Sequence, residues 1–143
     1  MRCGLATAEG SLVSRGRKIG LCVVFLFFFV GGIAHFAATD LEMSIVPPYL
    51  PAHHALVLIS GVFELLGAVG LLVPFLRRPA GIGLLLLTIA VTPANVYMLQ
   101  RSDLFPIAYW LLVARLPLQV GLLVLIAWST EAFQRPRPLS LRT

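Results

Sequence analysis

Four long apolar runs, which together hold only two of the charged residues, Glu64 and Arg115, organise this chain, the rest of the charge lying in the stretches between and beyond them. The first extends from Ile19 to Ala38, behind Arg15, Arg17 and Lys18. The second covers His53 to Leu76, carries a single acid, Glu64, and stops at Arg77, Arg78 and Pro79. The third runs from Ala80 to Leu99, with Pro93 and Asn95 toward its far end. The fourth, Pro106 to Trp128, contains Arg115, Pro117 and Gln119. Each is close to the roughly 20 residues that cross a hydrocarbon core of about 30 Å as a helix rising about 1.5 Å per residue. Backbone groups in hydrocarbon must pair within their own segment or in a closed barrel, and four segments are too few for a barrel. The pattern predicts an all-α polytopic membrane protein. Its four-transmembrane-helix bundle occupies residues 19–128, between basic tails at 1–18 and 129–143.

A secretory leader shares the basic start of the first run. Its apolar stretch would be only about 7–15 residues long, however, and this run ends on no small-x-small site, so it reads as a span. The connector from Thr39 to Ala52 holds Pro47, Pro48 and Pro51, which forbid a continuing helix. It is more apolar than a solvated hairpin needs, so Met43, Ile45, Val46 and Tyr49 are expected to cap the bundle.

Composition changes the picture little. Hydrophobic residues make up 59% of the 143 positions, charged residues 12%, and mean hydropathy is +0.94; soluble domains carry about 25% charged residues, so lipid must solvate part of this surface. The formal charge of +5 does not point to nucleic acid, because the basic residues flank apolar runs instead of clustering on a folded face. They act as orientation signals. Arg2, Arg15, Arg17, Lys18, Arg77, Arg78, Arg135, Arg137 and Arg142 fall on one side and Arg101 alone on the other. That bias places both termini in the cytoplasm of a plasma (inner) membrane. Cys3 and Cys22 form no Cys-x-x-Cys pair, so neither a dithiol relay nor a structural disulfide is expected. No Walker motif, His-Glu-x-x-His or nucleophile elbow is present.

The chemistry therefore rests on polar residues at bilayer depth, where charge is costly. Counting helical rise puts Glu64 and Arg115 at similar depths, so the two are expected to meet. Ser60 lies one turn from Glu64, and Gln119 one turn from Arg115, on shared helix faces. With His35 and Asn95 near the outer ends of the first and third spans, these six residues are expected to line a polar pocket opening to the outer leaflet. The competing reading is that Glu64 and Arg115 only fix helix register. Asn95 reads first as an interhelix hydrogen-bonding group, and His35 as an interfacial residue. Haem ligation by His35 with His54 lacks any further signature. Gly31, Gly32, Gly61, Gly67, Gly70, Gly81 and Gly83 read as points of close helix approach.

The segments Gly32-Ile-Ala-His-Phe36, Ile45-Val-Pro-Pro-Tyr-Leu-Pro51, Ile59-Ser-Gly-Val-Phe-Glu-Leu-Leu-Gly67, Leu72-Val-Pro, Arg77-Arg78-Pro-Ala-Gly, Pro93-Ala-Asn-Val-Tyr-Met98 and Ala114-Arg-Leu-Pro-Leu-Gln119 resemble the DoxX-like family of small bacterial membrane proteins, from about Gly32 to Trp128. The resemblance implies a four-helix membrane bundle. It also implies association with redox or oxidative-stress functions, the family's namesake being a small subunit of a thiosulfate:quinone oxidoreductase. It supplies no catalytic motif.

Four functions remain in view. One is a non-catalytic membrane component that binds a small hydrophobic or quinone-like ligand and works with a redox partner subunit. The others are a small carrier acting as a homo-oligomer, a subunit of a membrane oxidoreductase, and a scaffold. No cofactor signature is evident; a quinone is the group the expected pocket would suit.

Overall fold

The structure, a computed structural model, describes residues 14–133. Cys3, Arg2, Arg135, Arg137, Arg142 and most of both expected tails lie outside the described residues. The helices are α1 (Arg15–Ala37), α2 (Thr39–Ser44), α3 (His53–Leu72), α4 (Arg77–Ala90), α5 (Thr92–Gln100) and α6 (Tyr109–Thr130), with a 3-10 turn at Ser102–Leu104. α1, α3, α6 and the α4–α5 pair are each long and apolar enough to cross a membrane, so the chain is an all-α four-helix membrane bundle. Large apolar side chains such as Phe27, Ile59, Leu86 and Val124 face outward from all four spans, as lipid solvation permits.

Helix bounds differ from the apolar runs in instructive ways. α1 begins four residues early because Ser14 caps it, its side chain accepting from the Arg17 N–H at 3.4 Å. α3 stops at Leu72, ahead of Pro74, and the chain turns to Arg77. α6 continues to Thr130, and Ala132 beyond it is buried in the core. The third span is not continuous. It breaks at Val91, where Thr92 and Pro93 restart it as α5, because a proline inside a helix removes one donor and crowds the preceding turn.

Around the bundle α1 packs on α3, α3 on α4, α4 on α6 and α6 back on α1, so α3 and α6 stand diagonally opposite. The two ends of the bundle differ. At the end carrying Arg15, Arg17, Lys18, Arg77 and Arg78, here the basic end, lies one continuous apolar core. Leu21, Val24 and Phe28 of α1 meet Ala68 and Leu71 of α3, Leu84 and Leu85 of α4, Ile126 of α6, and Ala132. Two glycines allow this closeness. A Cβ on Gly81 would overlap the Thr130 side chain, and one on Gly67 would overlap Leu84. Gly83, by contrast, faces open space and is no point of close approach.

Basic side chains seal this end. Terminal helix carbonyls lack intrahelical donors, and cations favour helix C-termini. Arg17 pairs with the Glu131 carboxylate and donates through Nη2 to Ser129 O at 3.3 Å. Arg78 Nε donates to Ala132 O at 3.1 Å, and Arg77 Nε to Leu71 O at 3.0 Å.

The opposite, acidic end carries Asp40, Glu42 and Asp103 against Arg101. Here α2 lies across the mouth, packed on α3. Pro47 is fully buried, Met43, Ile45 and Val46 are half-buried, and Tyr49 stays 71% exposed, so the cap forms without its tyrosine. α6 buries only Leu112 in its first half.

Candidate functional site

The six expected residues do not line one pocket. A groove of about 480 Å3 where Tyr49 overhangs Pro93, Tyr97 and Gln100 contains none of them. They separate into three groups, each explained by the helix that carries it.

The first group is His35 with Glu64. α1 and α3 cross where Gly32 faces Gly61; a Cβ on Gly61 would sit 2.7 Å from the His35 Cβ, and one on Gly32 would sit 3.1 Å from Gly61 O. Backbones this close bring the Glu64 carboxylate onto α1. Its Oε2 lies 2.7 Å from where a Gly31 Cβ would stand, and its Oε1 lies 3.5 Å from His35 Nε2. Both side chains are largely enclosed, at 14% and 12% exposure, and the buried His35 Nδ1 has no hydrogen-bond partner. His35, in the last turn of α1, is thus turned inward as a partner of Glu64. Ser60, expected to share this polar face, donates to Leu56 O of its own helix at 2.5 Å.

Gln119 forms the second group with Asn95. The Asn95 amide donates to Gln119 Oε1 at 2.8 Å. Gln119 Nε2 donates to Thr88 O and to Thr92 Oγ1, each at 2.7 Å, and Thr92 Oγ1 donates to Thr88 O at 3.5 Å. The break at Val91 explains the arrangement. Thr88 O lies one turn before Thr92, where the helix is interrupted, and the α6 amide supplies the donor it needs in hydrocarbon. Asn95 is therefore an interhelix hydrogen-bonding residue. Thr88 and Thr92 were missed from sequence, although two threonines one turn apart just before a proline mark a break that needs side-chain donors.

The third group is Arg115 alone. The expected pair with Glu64 is absent: no ion pair joins them among the described residues, and Glu64 pairs with His35. Depth was read correctly. Gly20 packs on Ser129, and counting equal rises along antiparallel α1 and α6 brings Arg115 level with Ala34, beside His35. What depth did not reveal is that α3 and α6 are diagonal, and that the first half of α6 packs toward α5, burying only Leu112. Arg115 is exposed, about 9 Å from the start of α6 by helical rise. Its only hydrogen-bond partner among the described residues is a sulfur, with Nη1 donating to Met98 Sδ at 2.7 Å. A thioether is a weak acceptor, and a guanidinium cannot shed its proton. Among the described residues no group of three or more metal-ligating side chains occurs.

Neither a curated protein nor a solved structure matches the chain. Residues 23–131, from the third turn of α1 to the residue after α6, match a family model described as a domain of unknown function (DUF8561), and the chain belongs to that family.

Proposed function

We propose that this protein is a non-catalytic membrane component that holds a small lipid-soluble molecule with acceptor oxygens, of quinone or carboxylate type, against Arg115. The observation carrying this reading is the guanidinium itself: permanently charged, exposed at bilayer depth, and bonded only to sulfur. A charge at the centre of a spanning helix costs about 2.5–3.5 kcal/mol and one nearer its end, as Arg115 is, costs less; a thioether offsets little of either. A carbonyl or carboxylate oxygen is the complement, and one carried on an apolar body reaches this depth without leaving lipid. His35 and Glu64 stand at the same level as a second polar contact, while Asn95, Gln119 and Ser60 are occupied within the protein.

The resemblance to DoxX-like proteins supports a redox setting, with a partner subunit supplying electron-transfer chemistry, in a bacterial inner membrane. The lysine and arginine bias supports a cytoplasmic basic end. The test is extraction and mass spectrometry of lipid-soluble molecules co-purifying with the full chain in mild detergent. Wild type should retain a stoichiometric non-phospholipid species, Arg115→Leu should lose it, and Glu64→Gln should retain less. Equal retention by Arg115→Leu, or loss of bulk phospholipid alone, overturns the reading.

A scaffold role has one specific observation behind it, the closed Gln119 network, which braces α6 to the broken third span. It accounts for Asn95 and Gln119 and leaves Arg115 unexplained.

A further inference from the structure

A second site lies at the other end of the molecule and is independent of Arg115. The turn between α3 and α4 reads Val73-Pro-Phe-Leu-Arg77-Arg78. Each arginine spends one nitrogen on the protein: Nε of Arg77 on Leu71 O at 3.0 Å, and Nε of Arg78 on Ala132 O at 3.1 Å. Neither side chain makes another hydrogen bond or ion pair among the described residues. The Nε bond restrains each guanidinium and leaves its two terminal nitrogens without a protein acceptor among the described residues. Four donor-bearing nitrogens are thus presented by two half-buried, immobilised forks. The one acid at this end among the described residues, Glu131, is held by Arg17.

Exposed apolar groups flank the arginines. Phe75, two residues before Arg77, is 80% exposed, and Phe133, next to the carbonyl that holds Arg78, is 79% exposed. In water such rings would be a liability. At the end of the spans, where headgroups meet acyl chains, they sit where aromatic side chains anchor membrane helices. A guanidinium fork matches the geometry of phosphate oxygens, and basic pockets between helix ends are recurrent headgroup sites. Arg15 and Lys18 carry the same charge but are exposed and make no internal bond that would fix them.

We propose that Arg77 and Arg78, with Phe75 and Phe133, form a binding site for one anionic glycerophospholipid, its phosphate on the two guanidinium forks and its chains along the two rings. The ligand is anionic because the surplus positive charge at this end repels the ammonium of a zwitterionic headgroup. The test is native mass spectrometry of the full chain in mild detergent, titrated with phosphatidylglycerol or phosphatidylcholine. Replacing both arginines by glutamine should weaken phosphatidylglycerol retention about tenfold, and replacing Arg15 and Lys18 by glutamine less than about twofold, although the charge removed is the same. Arg77→Lys with Arg78→Lys keeps the charge and loses the fork, so retention should still fall several-fold; this pair carries the test if the glutamine pair does not fold. Equal losses from the two glutamine pairs, full retention by the lysine pair, or displacement of the lipid by millimolar inorganic phosphate overturns the assignment.

Discussion

The two halves of the bundle are built from the same oily residues, yet they are held together differently. The basic half is a continuous apolar core, closed by glycines too tight for a Cβ and tied off by arginines on helix C-terminal carbonyls. The acidic half has no such core. It has a short transverse helix, a span broken at Val91, two small polar networks and a helix half whose only buried side chain is Leu112. Where the first half repeats one solution, the second leaves polar groups at depth with different degrees of satisfaction. The difference teaches that one membrane fold can pack its apolar residues continuously at one end and hold its polar groups in separate small networks at the other.

Substitutions at the two ends test that division, beginning with the largest expected loss of stability. Gly81→Val forces a side chain onto Thr130 and should cost about 3 kcal/mol or prevent assembly, while Gly83→Val, facing open space, should leave the detergent melting temperature nearly unchanged. Similar losses for both would mean that the basic half is not tightly packed. Next comes Gln119→Leu, which strips Asn95 of its acceptor and Thr88 O of a donor; a loss of about 1–2 kcal/mol is expected, with Asn95→Ala costing less. No change in melting temperature would show that the break at Val91 needs no brace. Arg17→Gln should cost up to about 1 kcal/mol, and Glu131→Gln only a few tenths, because Arg17 also holds Ser129 O and its ion pair is partly solvated. The reverse order would mean that the ion pair alone matters. Smallest in stability is Arg115→Leu: removing an exposed charge from bilayer depth should leave the melting temperature unchanged or raise it, while ligand is lost. A marked drop would make Arg115 part of the framework and abolish the contrast.

The spans, their even number and the segregation of charge were legible because lipid imposes length and hydropathy on every span. Close helix approach at Gly61, Gly67 and Gly81 was legible for the same reason, although Gly83 shows that composition does not say which glycines face a neighbour. The site was only half legible. Rise per residue gave the level of Glu64 and Arg115 correctly, but adjacency around the bundle is set by loop paths and side-chain packing, neither of which a one-dimensional count contains. Hence Glu64 was matched to the wrong partner, and the contact of His35 with Glu64 beside the Gly61 crossing went unseen. The third span was read as one run despite Pro93, and both its break at Val91 and the amide that repairs it, Gln119 on another helix, came only from three dimensions.

The contact of Arg17 with Glu131 and the Ser129 carbonyl joins the first of the four spans to the last. During synthesis α1 emerges well before α6, so the pieces of this clasp are separated in time by the translation of 114 residues. Until α6 arrives, α1 exposes Gly20 and an unpartnered guanidinium to whatever stands beside it. The clasp therefore forms only after residue 131 has been made, and a chain arrested before that residue lacks it.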